Sequence, residues 1–124
     1  MRPKSRTLTE LELEIMKIVW LLKSATVRDV YESLLERRRI AYTTVMTMMK
    51  ILEQKQYLKR RLEERAYVYQ ATRSSKQVIK GMVREFVNRV FDGSARPLLA
   101  HLVEDRSLSA EDLKEIARLM KEEE

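Results

Sequence analysis

The apolar positions of the chain repeat with two different periods. Leu11, Ile15, Ile18, Val19 and Leu22 recur at spacings of three and four, the stripe of a helix packed on one side. Thr9 and Glu12 begin that helix as a T-x-x-E capping box. The hydroxyl accepts the third helical amide and the carboxylate reaches back to the Thr9 amide. Leu8 and Leu13 take the staple positions, Trp20 is expected in the core, and the helix is expected to end near Lys23. Ser24-Ala25 is a very short link. Thr26 and Asp29 repeat the cap, and Val27, Val30, Tyr31, Leu34 and Leu35 mark one side of a second helix. A third amphipathic stretch runs from Ala41 to Gln56. At about 100° per residue, Val45, Met48, Met49 and Leu52 gather on one side. Thr43, Thr47, Lys50 and Gln54 gather on the other, with Thr44 and Met46 at its margins. A helix that needed only solubility would more often carry Glu and Lys there. By itself the stretch reads as an ordinary surface helix, and its surroundings change that reading.

The period then shortens. Tyr57 to Leu62 and Ala66 to Ala71 are rich in β-formers and flank a turn at Glu63-Glu64-Arg65. Helix, short link, helix, turn and helix, followed by a basic hairpin, is the order of a winged helix-turn-helix. There the third helix enters the DNA major groove and the wing reaches phosphate or an adjacent minor groove. Arg65 is best placed at the turn to do so. One of Tyr67 and Tyr69 is expected to pack on the core, with the choice between them open. Ser74 and Gln77 cap a long fourth helix, whose stripe from Val78 to Phe91 is too broad for one side in water. It ends at Asp92-Gly93. A fifth helix is expected from about Ala95 to Asp105, and a sixth after the Ser109–Asp112 cap. The predicted fold is mainly α (α+β), with a winged helix over residues 1–73 and a three-helix dimerisation domain over residues 74–124. The last segment is too short to bury that much apolar surface alone. Its surplus stripe points to a second copy of the chain through Ile79, Val83, Phe86, Val90, Leu98, Leu102, Leu113, Ile116 and Met120.

Charge sharpens the division. Residues 1–73 hold 16 Lys and Arg against 9 Asp and Glu, whereas residues 74–124 hold 9 against 10. One half is built to meet a polyanion and the other is not. The run Glu36-Arg37-Arg38-Arg39 has two explanations, cations complementing the dipole at the end of the second helix or a phosphate contact, and both can hold. A basic N-terminus without a continuous apolar run after it, and no span of bilayer length, predict a cytoplasmic protein. With no cysteine and one histidine, His101, no disulfide, thiolate site or nucleophile–base constellation can be assembled. Two isolated glycines make no phosphate loop. An enzyme is not expected, nor a metal site or cofactor.

Ile40-Ala41-Tyr42-Thr43-Thr44-Val45-Met46-Thr47 closely resembles the recognition-helix signature of the penicillinase-repressor family of bacterial winged-helix regulators. Leu11 to Met16 with Val19-Trp20 resembles its first helix, and Arg65-Ala66-Tyr67-Val68-Tyr69 its wing, with Glu64 where glycine is usual. The resemblance spans nearly the whole chain. It implies a homodimeric repressor that binds palindromic operators, with an N-terminal DNA-binding and a C-terminal dimerising part. In the penicillinase branch it also implies a membrane sensor protease that cuts an Asn-Phe bond before Val-Glu. The matching positions here are His101-Leu102 before Val103-Glu104, a candidate regulatory cleavage site that departs from the pattern. The copper branch uses a C-terminal cysteine cluster that this chain lacks.

The sequence therefore predicts a homodimeric transcriptional repressor reading double-stranded DNA through residues 42–55 and a wing over 58–70. Thr43, Thr44 and Thr47, beside Tyr42, are expected at base edges. Lys50, Arg60, Arg61 and Arg65 are expected largely at phosphates, and Tyr67 is counted with them among the DNA-binding residues. The alternative is a winged-helix module that binds an acidic protein.

Overall fold

The computed structural model describes residues 7–122, with side chains for 7–119 and 121. The elements in order are α1 (Glu10–Leu22), α2 (Val27–Leu35), α3 (Tyr42–Gln54), β1 (Leu58–Glu63), β2 (Ala66–Ala71), α4 (Ser75–Phe91), α5 (Arg96–Glu104) and α6 (Ala110–Glu122). They form two compact units, one closing at Ile79 and the other starting at Lys80.

In the first unit three helices meet on a core of Ile15, Met16 and Val19 from α1, Val30 and Leu34 from α2, and Val45, Met49 and Leu52 from α3. Leu58 and Tyr69 add the base of the hairpin to it. The capping boxes predicted at Thr9 and Thr26 are closed. The Glu12 amide donates to Thr9 Oγ1 and the Thr9 amide to Glu12 Oε1; Thr26 and Asp29 do the same. Substituting such a cap typically costs about 1 kcal/mol of helix stability. α1 stops where Lys23 turns left-handed at φ 71°, its amide donating to the Val19 carbonyl.

The link after α1 does more than turn the chain. The Ala25 amide donates to the Tyr69 carbonyl at 3.0 Å, and the Tyr69 amide donates back to Ala25 at 2.8 Å. Ala25 thus makes an antiparallel bridge to β2 and roots the hairpin between α1 and α2. A second root lies at the chain exit, where Thr72 donates its amide to the Tyr57 carbonyl and its hydroxyl to the Gln56 carbonyl. Trp20 is only half-buried, and its indole N–H donates to the Arg73 carbonyl at 3.0 Å. The ring ties α1 to the segment after the wing instead of filling the core.

Two further details depart from the sequence reading. α2 ends at Leu35 with Glu36 as its C-cap, so Arg37, Arg38 and Arg39 follow the helix and do not lie in its last turn. Arg38 instead pairs with Glu14 of α1 at 3.3 Å. Glu12, read as a cap, is also a core residue with 1% of its surface exposed. Its Oε1 accepts a hydrogen bond from Lys55 Nζ at 2.9 Å, and Lys55 also donates to the Thr7 carbonyl. This couples the start of α1 to the C-cap of α3.

In the second unit Val87 is buried, and the rings of Phe86 and Phe91 meet edge to face at 5.9 Å. Ser109 and Asp112 close the cap of α6 reciprocally. Much of the apolar stripe stays exposed. Along α4, Ile79, Val83, Phe86 and Val90 are exposed; in α5, Leu98 and Leu102 are half-buried; in α6, Leu113 and Ile116 are exposed. The side chain of Met120 lies outside the described residues. No helix among the described residues is long and apolar enough to cross a membrane.

Burial pushes the Glu12 carboxyl up, but the Thr9 amide and the Lys55 ammonium together hold it below the ordinary glutamate value. The stabilisation is therefore complete above the unfolded glutamate range and lost as pH falls through the folded value. Urea unfolding should show stability declining in that acid window, with the decline absent in Glu12→Gln. Lys55→Met, which strands the buried carboxylate, should cost about 3–5 kcal/mol at neutral pH.

Candidate nucleic-acid interface

α3 is buried along Val45, Met49 and Leu52 and exposes Thr43, Thr44, Thr47 and Lys50. Alone among the first three helices it has no side-chain cap: its N-cap is Ala41, whose carbonyl accepts the Thr44 and Val45 amides. The first-turn amides of α3 therefore lack the side-chain oxygen that serves α1 and α2, and a helix start in that state favours an anionic oxygen. Tyr42, the first residue of α3, meets Tyr31 of α2 edge to face at 5.4 Å.

The hairpin register decides where the wing's side chains point. Leu58 pairs with Ala71, Arg60 with Tyr69 and Leu62 with Tyr67. Directly opposed residues share a sheet face, and Leu58 and Tyr69 are buried, so Arg60, Leu62 and Tyr67 lie on the same face as the core contacts. Lys59, Arg61 and Glu63 take the outer face, where Arg61 and Glu63 pair at 2.7 Å. The choice between the tyrosines is settled by the same alternation combined with distance from the core. Tyr69 is 3% exposed, and Tyr67, one step toward the tip, is 47% exposed.

Between α2, α3 and the wing runs an open groove of about 600 Å³. Arg28, Lys50, Arg60 and Arg65 line it with Tyr42, Met46 and Tyr67, and no carboxylate does. The structure thus brings Tyr42, Lys50, Arg60, Arg65 and Tyr67 together. Thr43, Thr44 and Thr47 stand on the exposed side of α3 outside the groove lining, and Arg61 is on the opposite face of the hairpin. His101 and Leu102 belong to the second unit, inside α5, with the His101 ring 5.9 Å from that of Phe91. Arg28 and Glu53 were not singled out in the sequence. Arg28 reads there as half of an i,i+4 pair with Glu32, which it also is, at 3.6 Å. Glu53 reads as an ordinary polar helix position, yet its Oε2 lies 3.3 Å from Arg60 Nε. A hydrogen bond with Tyr69, and Glu53 after it, hold the Arg60 guanidinium above its usual value.

Three packed helices, the third offering a polar strip beside a basic hairpin, define a winged helix-turn-helix transcription regulator. The penicillinase repressor family model matches residues 8–122, and the chain belongs to that family, which comprises transcriptional repressors and not enzymes. It is 26% identical over 115 residues to the penicillinase repressor of Bacillus licheniformis, covering 93% of this chain and 90% of that protein. It is 33% identical over 103 residues to the transcriptional regulator BlaI of Mycobacterium tuberculosis, covering 82% and 75%. Among solved structures, the monomeric form of B. licheniformis BlaI in complex with the blaP half-operator matches with a TM-score of 0.51 at 27% identity, over 56% of this chain and 85% of that one. A MarR variant from E. coli complexed with operator DNA matches at 0.54 and 12% identity, over 93% and 74%, a likeness of fold alone.

The wing turn carries a local cost. Glu64, the first residue of the two-residue loop, sits at φ 55°, a conformation that side chains disfavour by about 1–2 kcal/mol. Glu64→Gly is expected to relieve about 1 kcal/mol of that strain, read as a higher urea midpoint with an unchanged slope.

Proposed function

We propose that this protein is a homodimeric repressor of transcription that binds a palindromic DNA operator, with α3 in the major groove and the β1–β2 wing along the backbone. The observation that carries the reading is the split of α3. One side is core, and the other offers Thr43, Thr44 and Thr47 beside a groove lined by cations. Short hydroxyl side chains let a helix approach base edges closely. A threonine can donate or accept there, and its methyl can meet a thymine methyl. Lys50, Arg61 and Arg65 supply phosphate contacts on both sides of the wing, and Tyr42 and Tyr67 wall the groove. The start of α3, which no side chain caps, offers a further seat for a phosphate.

The second unit supports the reading of two copies of the chain. Val83 is 51% exposed and Val90 49%, on a helix that also exposes Phe86, and a second copy would cover that stripe. Dimers place two recognition helices about one helical turn of DNA apart, which a palindrome matches. The B. licheniformis relative was solved as a monomeric form on a half-operator, in keeping with one copy per half-site. A sensor protease acting at His101–Leu102 would first have to unwind α5, because both residues lie within it.

Fluorescence anisotropy on DNA from upstream of the protein's own gene tests the reading. Thr47→Ala should narrow the gap between that DNA and a random duplex by about 1–3 kcal/mol. Arg65→Ala should weaken both similarly and flatten the salt dependence by about one phosphate contact. Equal loss on both DNAs for Thr47→Ala would remove the base-reading role. Phe86→Glu should give a monomer by sedimentation and abolish the preference for two half-sites over one; a dimer unaffected by it would refute this interface.

A further inference from the structure

We propose that Arg60 is a positioning residue, a strut that fixes the wing's angle to α3 through Glu53 and Tyr67, and not a ligand of DNA phosphate. The inference rests on the DNA-reading role proposed above and deepens it. A two-stranded hairpin alone is marginally stable in water, so its attachments decide how rigid it is. Here the roots lie at one end. Ala25 bridges Tyr69, and Thr72 binds the carbonyls of Tyr57 and Gln56. The distal half, from Arg61 through the turn to Val68, lies beyond both.

Arg60 sits at that divide, opposite Tyr69 in the ladder. Its Nε lies 3.3 Å from Glu53 Oε2, on the last turn of α3. Its guanidinium carbon lies 4.2 Å from the centroid of the Tyr67 ring, on the outer half of β2. One edge of the guanidinium is thus taken by a carboxylate and one face by a ring. Both side chains of the ion pair are about one-third exposed, 35% and 31%, so the contact is less screened than a fully solvated one. Arg65, by contrast, makes no salt bridge among the described residues, and Arg61 is paired only with Glu63 of its own strand. A phosphate approaching Arg60 would compete with Glu53 for a guanidinium that also faces the Tyr67 ring, whereas Arg65, exposed at the turn, carries no such competitor among the described residues. The strut therefore sets the position from which Arg65 reaches DNA.

Hydrogen exchange on the free full-length protein separates the two roles. Arg60→Gln should speed exchange of the amides at 61–68 by about tenfold, the sum expected of a partly exposed ion pair and a cation–π contact, and Glu53→Gln, which removes the ion pair alone, by about threefold. The amides of α1 should not change. Combining Glu53→Arg with Arg60→Glu should restore the ion-pair share of the protection and leave the Tyr67 share lost. Unchanged exchange at 61–68 in Glu53→Gln would overturn the strut. On the upstream duplex and an unrelated one, Arg60→Gln should weaken binding several-fold while leaving the slope of log K against log salt intact, whereas Arg65→Ala flattens it by about one. A flattening of about one for Arg60→Gln would make Arg60 a phosphate ligand and overturn the proposal. If the wild type binds neither duplex, the DNA-reading function fails, and the exchange experiment, which needs no DNA, still decides the strut.

Discussion

The first unit depends on a carboxylate that has been taken out of water. An isolated ionised carboxylate in a protein interior costs several kcal/mol, yet Glu12 has 1% of its surface exposed. Two donors and a dipole make that position tolerable: the Thr9 amide, the Lys55 ammonium, itself only 10% exposed, and the positive end of α1. Its Oε2 accepts no hydrogen bond among the described residues. The arrangement is therefore directional, with one oxygen serving both the cap and the lysine. Because Lys55 is the C-cap of α3, the same contact that starts the first helix fixes where the third one ends. Helices that met only through Val45, Met49 and Leu52 could slide or rotate by a residue at modest cost. An ion pair with one correct partner penalises such shifts.

The wing is held in a different way. Its base shares backbone hydrogen bonds with the α1–α2 link, and its register follows from the burial of Leu58 and Tyr69. Once those two face the core, alternation sends Arg60 and Tyr67 toward α3 and sends Lys59 and Arg61 away from it. The basic character of the hairpin is thus divided between two faces. Of the hairpin's cations, Arg60 and, from the turn, Arg65 line the groove with Lys50 and Arg28. A count of cations along the strand would treat Arg60 and Arg61 alike, although they meet different partners.

The second unit shows the opposite economy. It spends few polar contacts and leaves long apolar side chains exposed along α4, α5 and α6. Its capping at Ser109–Asp112 and the turn at Asp92-Gly93, both left-handed at φ 52° and 90°, are locally complete. Its exposed apolar side chains are the basis for proposing a second copy.

Local chemistry settled much of this molecule in advance. Capping boxes at Thr9, Thr26, Ser74 and Ser109, periods of 3.6 and 2, and the positions of the turns depend on neighbours three or four residues apart. The order of elements, the winged-helix class and the small polar side of α3 were therefore legible in the chain, and the family signature around Tyr42–Thr47 was legible with them. Contacts between distant residues were not. Nothing local distinguishes Glu12 as cap from Glu12 as buried partner of Lys55, 43 positions away. Nothing local predicts that Trp20 serves the Arg73 carbonyl, that Arg38 turns back to Glu14, or that Glu53 claims Arg60. A charged side chain finds its partner by proximity in space, and that proximity exists only after the helices and hairpin have packed.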